Sequence, residues 1–202
     1  IMESAALAAL RDCLNGAPVD VIVQVESTRR KKLLIADMDS TMIDQECIDE
    51  LADVAGLKSR VAAITAKAMN GEIPFEDALR ERVALLKGLS GTVVAAVIRD
   101  RITLAAGGRE LVATMRKNGA HAALVSGGFT AFTTPIAAVL GFNENQANVL
   151  ETEDGLFTGK VAEPILGRQA KADALSAISA RLGISVDDAL AVQSGVVDVA
   201  QV

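Results

Sequence analysis

The 202-residue sequence has no tryptophan, no tyrosine and only five phenylalanines. It therefore offers few aromatic faces on which nucleic-acid bases could stack. Its formal net charge is −6 at pH 7, and it lacks the dense stripe of lysine and arginine that binding to nucleic-acid phosphates requires. No apolar run approaches the roughly 18 residues of a membrane span. We therefore expect neither a nucleic acid nor a membrane as a partner.

Histidine and cysteine are also scarce. His121 is the only histidine, so a catalytic triad or a multi-histidine metal site would have to be built on this one residue. It directly precedes an apolar stretch, and we interpret it as structural. The two cysteines, Cys13 and Cys47, show neither the spacing of a metal site nor a disulfide framework. Their pattern fits a reducing compartment, so we expect a cytoplasmic protein.

The N-terminal segment carries little functional information. Residues 2–14 have alanine and leucine at helical spacing, residues 19–25 alternate like a short strand, and residues 27–32 are polar, as in a linker. This helix and strand are too small to fold alone and favour the remnant of a preceding module. The segment lacks the features of a secretory signal, and it opens on Ile1 rather than methionine, so we expect a fragment at this end.

The most informative feature is an apolar run that ends in two aspartates. Leu33–Ala36 is followed by Asp37 and Asp39 in the segment KKLLIADMDSTMID. A short apolar run stopped by a polar turn is typical of a buried parallel strand, and ligands bind at the carboxyl ends of such strands. Two carboxylates with neighbouring hydroxyls suit a divalent cation and an anionic substrate. The alternative is that aspartate and serine simply start a turn here.

The remaining sequence divides into a helical block and an alternating block. The helical block has helix patterns without intervening strands at residues 47–54, 58–69, 75–86 and 93–101. The alternating block has helices at 109–117, 133–140 and 170–182, strands at 121–125 and 189–192, and a hairpin pattern at 149–151 and 156–161. Strands that alternate with helices indicate a mainly parallel sheet with right-handed crossovers.

This order predicts an α/β fold with a small helical cap inserted after the first strand. We divide the chain into an N-terminal helix, strand and linker at 1–30, a core at 31–44 and 106–202, and a cap at 45–105.

Two further features are expected to meet the aspartates at the carboxyl edge of the sheet. Ser126-Gly127-Gly128 follow the strand at 121–125, where a hydroxyl and N–H groups freed by glycine can hold an anion. Lys171 lies early in a helix, where the helix dipole disfavours a cation unless an anion lies opposite. A plain glycine turn and a solvated surface lysine are the alternative interpretations.

Taken together, these motifs resemble those of the haloacid dehalogenase (HAD) superfamily of phosphohydrolases. The resemblance rests on DMDST-x6-IDELA, on LVSGGF, on the helix that carries Lys171 and on the helical insertion, and it runs from about Lys31 to Val192. Within the superfamily, the similarity is to the phosphoserine phosphatases. It implies a Rossmann-like parallel sheet, hydrolysis of O-phospho-L-serine in serine biosynthesis, and Mg²⁺ as cofactor.

The resemblance also implies catalytic roles. Asp37 would be the nucleophile that forms an aspartyl-phosphate, and Asp39 would protonate the departing serine hydroxyl and later activate water. Mg²⁺ would bind the Asp37 carboxylate and the main-chain carbonyl of Asp39. Ser126, the Gly127 N–H and Lys171 would hold the phosphoryl oxygens. A carboxylate nucleophile is consistent with a site that has no histidine.

Substrate selection would fall to the cap. The resemblance implies that Glu46 meets the ammonium group of the substrate and that Arg82 meets its carboxylate, which arginine can pair in a bidentate manner. Met69 and Phe75 match apolar residues that close over the substrate. From the residues alone, Glu46 would cap the next helix and Arg82 would lie on a solvated charged face.

The fourth motif departs from the family pattern. It should read roughly G-D-G-x-N-D at residues 193–198, where this chain reads QSGVVD. Ser194 stands at the position of the metal-binding aspartate and Val197 at that of the asparagine, so that only Gly195 and Asp198 match. Serine adds no negative charge for Mg²⁺, and we expect weaker metal binding, with Asp198 as a further candidate ligand.

Two explanations for this departure stay open. The protein is a degenerate or truncated enzyme, or the sequence is partial and the true fourth motif is missing. The start on Ile1 and the abrupt end at Val202 favour a partial sequence.

Three functional hypotheses stay open as well. The first is a Mg²⁺-dependent phosphoserine phosphatase. The second is a catalytically impaired relative that binds phosphoamino acids or serves as a regulatory module. The third is the same chemistry on another small phosphate, or transfer to an acceptor such as homoserine. Each has a small-molecule phosphomonoester as its partner, and the sequence does not decide whether the protein forms a homodimer.

Overall fold

The computed structural model describes residues 2–15, 17–19 and 26–194. The helices are α1 (Met2–Leu14), α2 (Glu26–Arg29), α3 (Cys47–Val54), α4 (Lys58–Met69), α5 (Phe75–Ala84), α6 (Val93–Arg101), α7 (Gly108–Lys117), α8 (Thr130–Leu140) and α9 (Arg168–Leu182). The strands are β1 (Leu33–Ala36), β2 (His121–Phe129), β3 (Glu144–Asn148), β4 (Leu150–Glu153), β5 (Leu156–Val161) and β6 (Ala189–Val192). The predicted α/β fold is confirmed.

Strand β1 lies inside the main sheet. Within the described residues, this sheet has four strands in the order β3-β2-β1-β6, and each neighbouring pair is parallel. Leu33 lies opposite His121 of β2 on one side and opposite Ala189 of β6 on the other. All four residues of β1 are buried. Because both faces of the sheet are covered, the strand is a continuous apolar run rather than an alternating one.

The two faces of β1 contribute to separate apolar clusters. Leu34 and Ala36 belong to a large cluster with residues of α3, α5, α6, α7 and α8. Leu33 and Ile35 belong to a smaller cluster with residues of α9. The alternation of side chains along one strand therefore fixes α9 against one face of the sheet.

The helices α3 to α6 follow β1 without an intervening strand, as predicted. Helix α5 ends at Ala84, two residues before the predicted end. The β4–β5 hairpin contacts the chain just after α5, because the Gly88 N–H donates to the Phe157 carbonyl and the Phe157 N–H donates to the Leu89 carbonyl, each at 2.8 Å. The division into cap and core domains stays a prediction.

Strand β2 is longer than predicted. We expected it to end at Val125 with a turn after it, but it continues to Phe129. Its pairing with β3 is irregular, since Val125 lies opposite Gln146 whereas Phe129 lies opposite Asn148. The β2 segment between these two pairs is thus two residues longer than the β3 segment. A bulge of this kind interrupts the ladder and re-aims the main chain at the edge of the sheet.

Other segments of the chain also differ from the sequence predictions. Strand β3 was not predicted, because its sequence ENQAN is polar and has no apolar alternation. The segment at 27–32, interpreted as a linker, includes most of the short helix α2. The hairpin is confirmed as the antiparallel pair β4–β5. Of the strand predicted at 19–25, all but Val19 lies outside the described residues. None of the described helices combines the length and apolarity that a bilayer crossing needs.

Candidate active site

A cavity of about 560 Å³ lies where β1, β2 and β6 end. Its lining includes most of the site residues predicted from the sequence: Asp37, Asp39, Glu46, Phe75, Arg82, Ser126, Gly127 and Lys171. The carboxyl edge of the parallel sheet thus brings together side chains that are far apart in the sequence, as expected for an open α/β sheet.

Asp37 and Lys171 form an ion pair inside this cavity. Lys171 Nζ lies 2.5 Å from Asp37 Oδ2, and Asp37 Oδ1 accepts from the Met38 N–H at 2.9 Å. The Asp37 N–H itself donates to the Val192 carbonyl of β6 at 2.9 Å. Lys171 therefore lies early in α9 with a carboxylate opposite, which is the arrangement that explains a cation near the N-terminus of a helix. It is not a solvated surface lysine.

Asp39 accepts two hydrogen bonds from neighbouring elements. Its Oδ1 accepts from the N–H of Cys47, the first residue of α3, at 2.9 Å, and its Oδ2 accepts from the Ser126 hydroxyl at 3.3 Å. Burial raises the pKa of Asp39 to about 6, although the bond from the Cys47 N–H opposes this shift. The negative charges of Glu46 and Asp37 raise the pKa further by smaller amounts. A carboxyl group with such a pKa can both donate and accept a proton near neutral pH.

Gly128 allows the main chain of β2 to lie close to Asp39. A Cβ at this position would lie 2.7 Å from Asp39 Oδ2 and 3.1 Å from Ser126 Oγ. The Gly128 N–H donates to Ser126 Oγ at 2.9 Å, and the same hydroxyl donates to Asp39. The interpretation of SGG as a plain glycine turn is therefore wrong, because the glycine is required by a close approach within the strand.

Glu46 does not have the capping role that the bare sequence favoured. It occupies the N-cap position of α3, but its side chain makes no capping hydrogen bond. Its Oε1 accepts from the Ser40 hydroxyl at 2.6 Å, and Asp39 accepts from the first N–H of the helix instead. The Glu46 side chain is exposed and lines the cavity.

Arg82 is half-buried rather than on a solvated face. Its Nε donates to the Ala78 carbonyl at 3.2 Å, and its Nη1 lies 3.5 Å from Thr65 Oγ1. Burial lowers the pKa of the guanidinium, while Asp49 and Glu46 oppose that shift. Within the described part of the chain, no carboxylate lies within ion-pair distance of Arg82. The guanidinium is thus available to an anionic group in the cavity.

The two apolar cap residues differ in their placement. Phe75 begins α5 and lines the cavity, and a Cβ built on Gly127 would lie 3.3 Å from its ring. Met69 is the last residue of α4, its side chain is 84% exposed, and it is absent from the lining of the cavity. The structure therefore does not bring Met69 to the site, because α4 ends there and the chain turns at Asn70-Gly71.

The described part of the fourth motif reaches the cavity. Gln193 and Ser194 follow β6 and line it, and the Ser194 N–H donates to Thr41 Oγ1 at 2.8 Å. Asp198, the third metal ligand predicted, lies outside the described residues.

The available donors are oxygen atoms, which suit a hard cation. Among the described residues, no cluster of three or more His, Cys, Asp or Glu side chains could hold a metal. The Asp37 carboxylate, the Asp39 main-chain carbonyl and the Ser194 hydroxyl are oxygen donors in this region. Mg²⁺ usually takes one or two protein carboxylates and completes its shell with water and phosphate oxygens. These oxygen donors are therefore of the chemical type that Mg²⁺ prefers.

His121 lies away from the cavity, and its structural interpretation agrees with its contacts. Its Nε2 lies 2.6 Å from Glu144 Oε1 on β3, and Arg181 pairs with the same carboxylate. In contrast, Asn148 was missed by the sequence analysis although its buried amide hydrogen-bonds the Gly127 carbonyl at 2.8 Å. A single asparagine in a strand without apolar alternation gave no signal.

Comparison with known proteins agrees with this geometry. The family model of haloacid dehalogenase-like hydrolases matches residues 34–195. A phosphoserine phosphatase of Polaromonas sp. is 45% identical over 172 residues, which cover 83% of this chain and 73% of that protein. A phosphoserine phosphatase of Archaeoglobus fulgidus is 41% identical over 182 residues, which cover 89% of this chain and 53% of that protein. The chain thus spans about half of the second relative.

Solved structures show the same fold. A HAD family hydrolase from Salmonella enterica superposes with a TM-score of 0.82 at 30% identity, covering 92% of this chain and 63% of that one. A phosphoserine phosphatase, solved as a phospho-aspartyl intermediate analogue, superposes with a TM-score of 0.73 at 40% identity, covering 80% of this chain and 77% of that one. The family match spans most of the chain and includes the strands that build the cavity. The chain belongs to the haloacid dehalogenase-like hydrolase family.

Proposed function

We propose that the protein hydrolyses O-phospho-L-serine to L-serine and phosphate through a phosphorylated Asp37. One observation carries the proposal: a single cavity holds a carboxylate paired with Lys171 and, next to it, a second carboxyl group, Asp39, whose pKa is about 6. The first group is suited to act as a nucleophile and the second as an acid and base. The relatives named phosphoserine phosphatase support this reaction.

In the first half of the reaction, the Asp37 carboxylate attacks phosphorus and the bond from phosphorus to the serine oxygen breaks. Protonated Asp39 donates its proton to that oxygen, so L-serine leaves with a neutral hydroxyl group. The products are an acyl phosphate on Asp37 and an ionised Asp39. The relative that was solved as a phospho-aspartyl intermediate analogue supports this step.

In the second half, ionised Asp39 accepts a proton from a water molecule while that water attacks phosphorus. The bond between phosphorus and Asp37 breaks, phosphate leaves, and both carboxyl groups return to their starting states. During both halves of the reaction, three groups hold the phosphoryl oxygens, on which the negative charge is largest: the Ser126 hydroxyl, the Gly127 N–H and the Lys171 ammonium.

A divalent cation completes the proposal. Phosphatases of this family generally use a divalent metal ion, and for this chain we propose Mg²⁺, bound by the Asp37 carboxylate and the Asp39 main-chain carbonyl. When bound, the cation offsets the repulsion between the attacking carboxylate and the phosphate. Asp198 stays a predicted further ligand.

The cap side of the cavity supports an amino-acid substrate. Arg82 lies half-buried without a carboxylate partner among the described residues, and it suits the carboxylate of the substrate. Glu46 presents an exposed carboxylate that suits the ammonium group. Phe75 covers the phosphoryl-binding glycine beside them. The impaired, non-catalytic alternative has no support from the relatives, and we do not propose it.

We also propose that the protein acts in the cytoplasm, in serine biosynthesis. Cys13 is exposed and Cys47 is buried, and neither forms a disulfide within the described residues. Exposed unpaired cysteines are typical of proteins in reducing compartments.

The direct test measures phosphate release from phosphoserine with Mg²⁺, for the wild type and for Asp37→Asn. The variant is expected to lose roughly 10⁴-fold or more of kcat, because it lacks the nucleophile. Substrate labelled at phosphorus should leave its label on the peptide that contains Asp37 when the reaction is quenched in acid. Full activity of Asp37→Asn, or a label on another peptide during turnover, would contradict the proposal.

A further inference from the structure

Asn148 connects the two segments that deliver the phosphoryl-binding groups. It is the last residue of β3, and it is only 2% exposed. Its Nδ2 donates to the Gly127 carbonyl at 2.8 Å and to the Leu166 carbonyl at 3.2 Å. Its Oδ1 accepts from the Leu166 N–H at 2.7 Å. Every polar group of this buried amide is therefore paired with main-chain atoms.

On one side, the bonds continue to the acid–base group. The Gly127 carbonyl belongs to the same peptide unit as the Gly128 N–H, which donates to Ser126 Oγ at 2.9 Å. The Ser126 hydroxyl donates in turn to Asp39 Oδ2 at 3.3 Å. Holding the carbonyl end of this peptide fixes the plane of the whole unit, since the peptide bond is planar. The orientation of the Ser126–Gly128 segment thus depends on Asn148.

On the other side, the bonds reach the start of α9. Leu166 lies two residues before that helix begins, and Lys171 lies in its first turns. Lys171 Nζ then pairs with Asp37 Oδ2 at 2.5 Å. A shift of the loop at Leu166 would move the beginning of α9 and, with it, the ammonium group. One asparagine therefore contacts both the segment with the hydroxyl and the loop before the lysine.

We infer that Asn148 is a positioning residue that sets the distance between the Ser126–Gly128 segment and the helix bearing Lys171, and so shapes the phosphoryl pocket. This role rests on the proposed function and deepens it. Asparagine is the suitable residue because one short side chain must provide two N–H donors and one acceptor. Aspartate has the same shape but would place an oxygen against the two carbonyls of Gly127 and Leu166.

The test replaces Asn148 with aspartate and compares it with Thr133→Val. Thr133 is also fully buried and donates a hydrogen bond, to Asn145 Oδ1 at 2.7 Å, but it lies outside the lining of the cavity. For the wild type and both variants, the folded fraction is measured by circular dichroism, and kcat and KM for phosphoserine by phosphate release. The inhibition constants of inorganic phosphate and of L-serine are measured in the same assay.

The two inhibitors separate positioning from stability. We expect Asn148→Asp to lower kcat by about 100-fold, the size expected for a small displacement of reacting groups. We expect it to weaken phosphate inhibition by about tenfold or more and to leave L-serine inhibition within about twofold, because L-serine contacts the cap side. Thr133→Val should change none of these constants. If Asn148→Asp does not fold, Asn148→Ser, which keeps one donor, takes its place.

An unchanged phosphate inhibition constant, or equal weakening of both inhibitors, would overturn the positioning role. A wild-type protein that does not hydrolyse phosphoserine would instead overturn the proposed function. In that case the positioning role is judged by calorimetric titration with inorganic phosphate. It stands if Asn148→Asp binds phosphate at least tenfold more weakly than the wild type does, and it fails if the two bind equally.

Discussion

On the core side of the cavity, Asp37 and Asp39 each accept two hydrogen bonds, whereas on the predicted cap side Glu46 and Phe75 are exposed and only Arg82 is half-buried. The Asp37 side chain is 18% exposed and pairs with Lys171 and a main-chain N–H. Phe75, by comparison, is 39% exposed. The Glu46 side chain accepts one hydrogen bond within the described residues, from the Ser40 hydroxyl.

This difference separates two tasks of the site. Transition-state stabilisation requires groups that are already oriented before the substrate binds, because reorientation during the reaction costs free energy. The substrate selection that we propose for the cap side tolerates more adjustment, because loops and side chains of enzymes often close on the substrate as it binds. The core side should therefore be intolerant of small changes, and the cap side should respond according to contact with the substrate. Four substitutions test this contrast.

The largest effect is expected for Asp39→Asn. The variant cannot donate or accept the catalytic proton, so kcat for phosphoserine should fall by about 10²- to 10⁴-fold. Phosphate release at saturating Mg²⁺ measures this loss. Retention of more than a tenth of wild-type activity would show that Asp39 is not the acid and base.

The same variant should become more stable relative to the wild type as the pH rises. Because the pKa of Asp39 is about 6 in the folded protein against an ordinary value of 3.8, the folded state retains its proton longer than the unfolded state. The wild type therefore loses stability between about pH 4 and pH 6, by about 3 kcal/mol in total, and Asp39→Asn does not. Chemical denaturation in EDTA at pH 4 and pH 7.5 measures the difference, and a pH-independent difference would contradict it.

The second substitution is Gly128→Ala, compared with Gly127→Ala. The new methyl group at 128 would clash with the hydrogen-bonded carboxylate of Asp39. We therefore expect kcat to fall by about 10²- to 10³-fold. At 127 the methyl group would lie 3.3 Å from the tip of the Phe75 ring, which can move aside, and at an ordinary contact distance of 3.8 Å from the Leu166 carbonyl oxygen. That variant should lose less than about tenfold. Equal losses in kcat would contradict the distinction between the two glycines.

The glycine pair also shows what the sequence could and could not predict. Asp37, Asp39, Ser126 and Lys171 follow apolar runs or lie early in helices, and these local patterns predicted that they meet at one edge of a sheet, with a glycine turn and a solvated lysine left open as alternatives. The need for Gly128 arises from an approach of β2 to a side chain 89 residues earlier in the sequence. No local sequence pattern reports such a long-range approach, so a plain glycine turn stayed open as an alternative to the anion-binding segment.

Strand β3 and Asn148 were missed for a related reason. The residues of β3 are polar and lie at the edge of the described sheet, so burial leaves no periodic apolar signal. The role of Asn148 then depends on a loop at Leu166 that only the folded chain brings near. For Arg82, the charged run around it favoured a solvated face, yet α5 turns this one arginine toward the cavity and leaves Arg80 outside.

The third substitution uses this pair of arginines. Arg82→Ala should lower kcat/KM for phosphoserine by about 100-fold, mainly through KM, because a bidentate contact with the substrate carboxylate is lost. Arg80 lies two residues earlier on α5 and pairs with Asp77 and Glu163 on the surface, so Arg80→Ala should change kcat/KM by less than about twofold.

An aryl phosphate that lacks a carboxylate provides the control for Arg82→Ala. Hydrolysis of this substrate should fall by less than about threefold, since only the cap contact is removed and the phosphoryl-binding groups are intact. An equal fall for both substrates would argue that Arg82 supports the structure of the cavity rather than binding a carboxylate.

The smallest effects are expected at the apolar cap residues. Phe75→Ala removes a ring that lines the cavity beside Gly127, and kcat/KM for phosphoserine should fall by about tenfold through the loss of buried apolar contact. Met69→Ala removes a side chain that is 84% exposed and lies outside the cavity, so the change should stay within about twofold. A loss at Met69 as large as that at Phe75 would show that α4 moves over the bound substrate, and that the cap side changes its shape more on binding than the core side does.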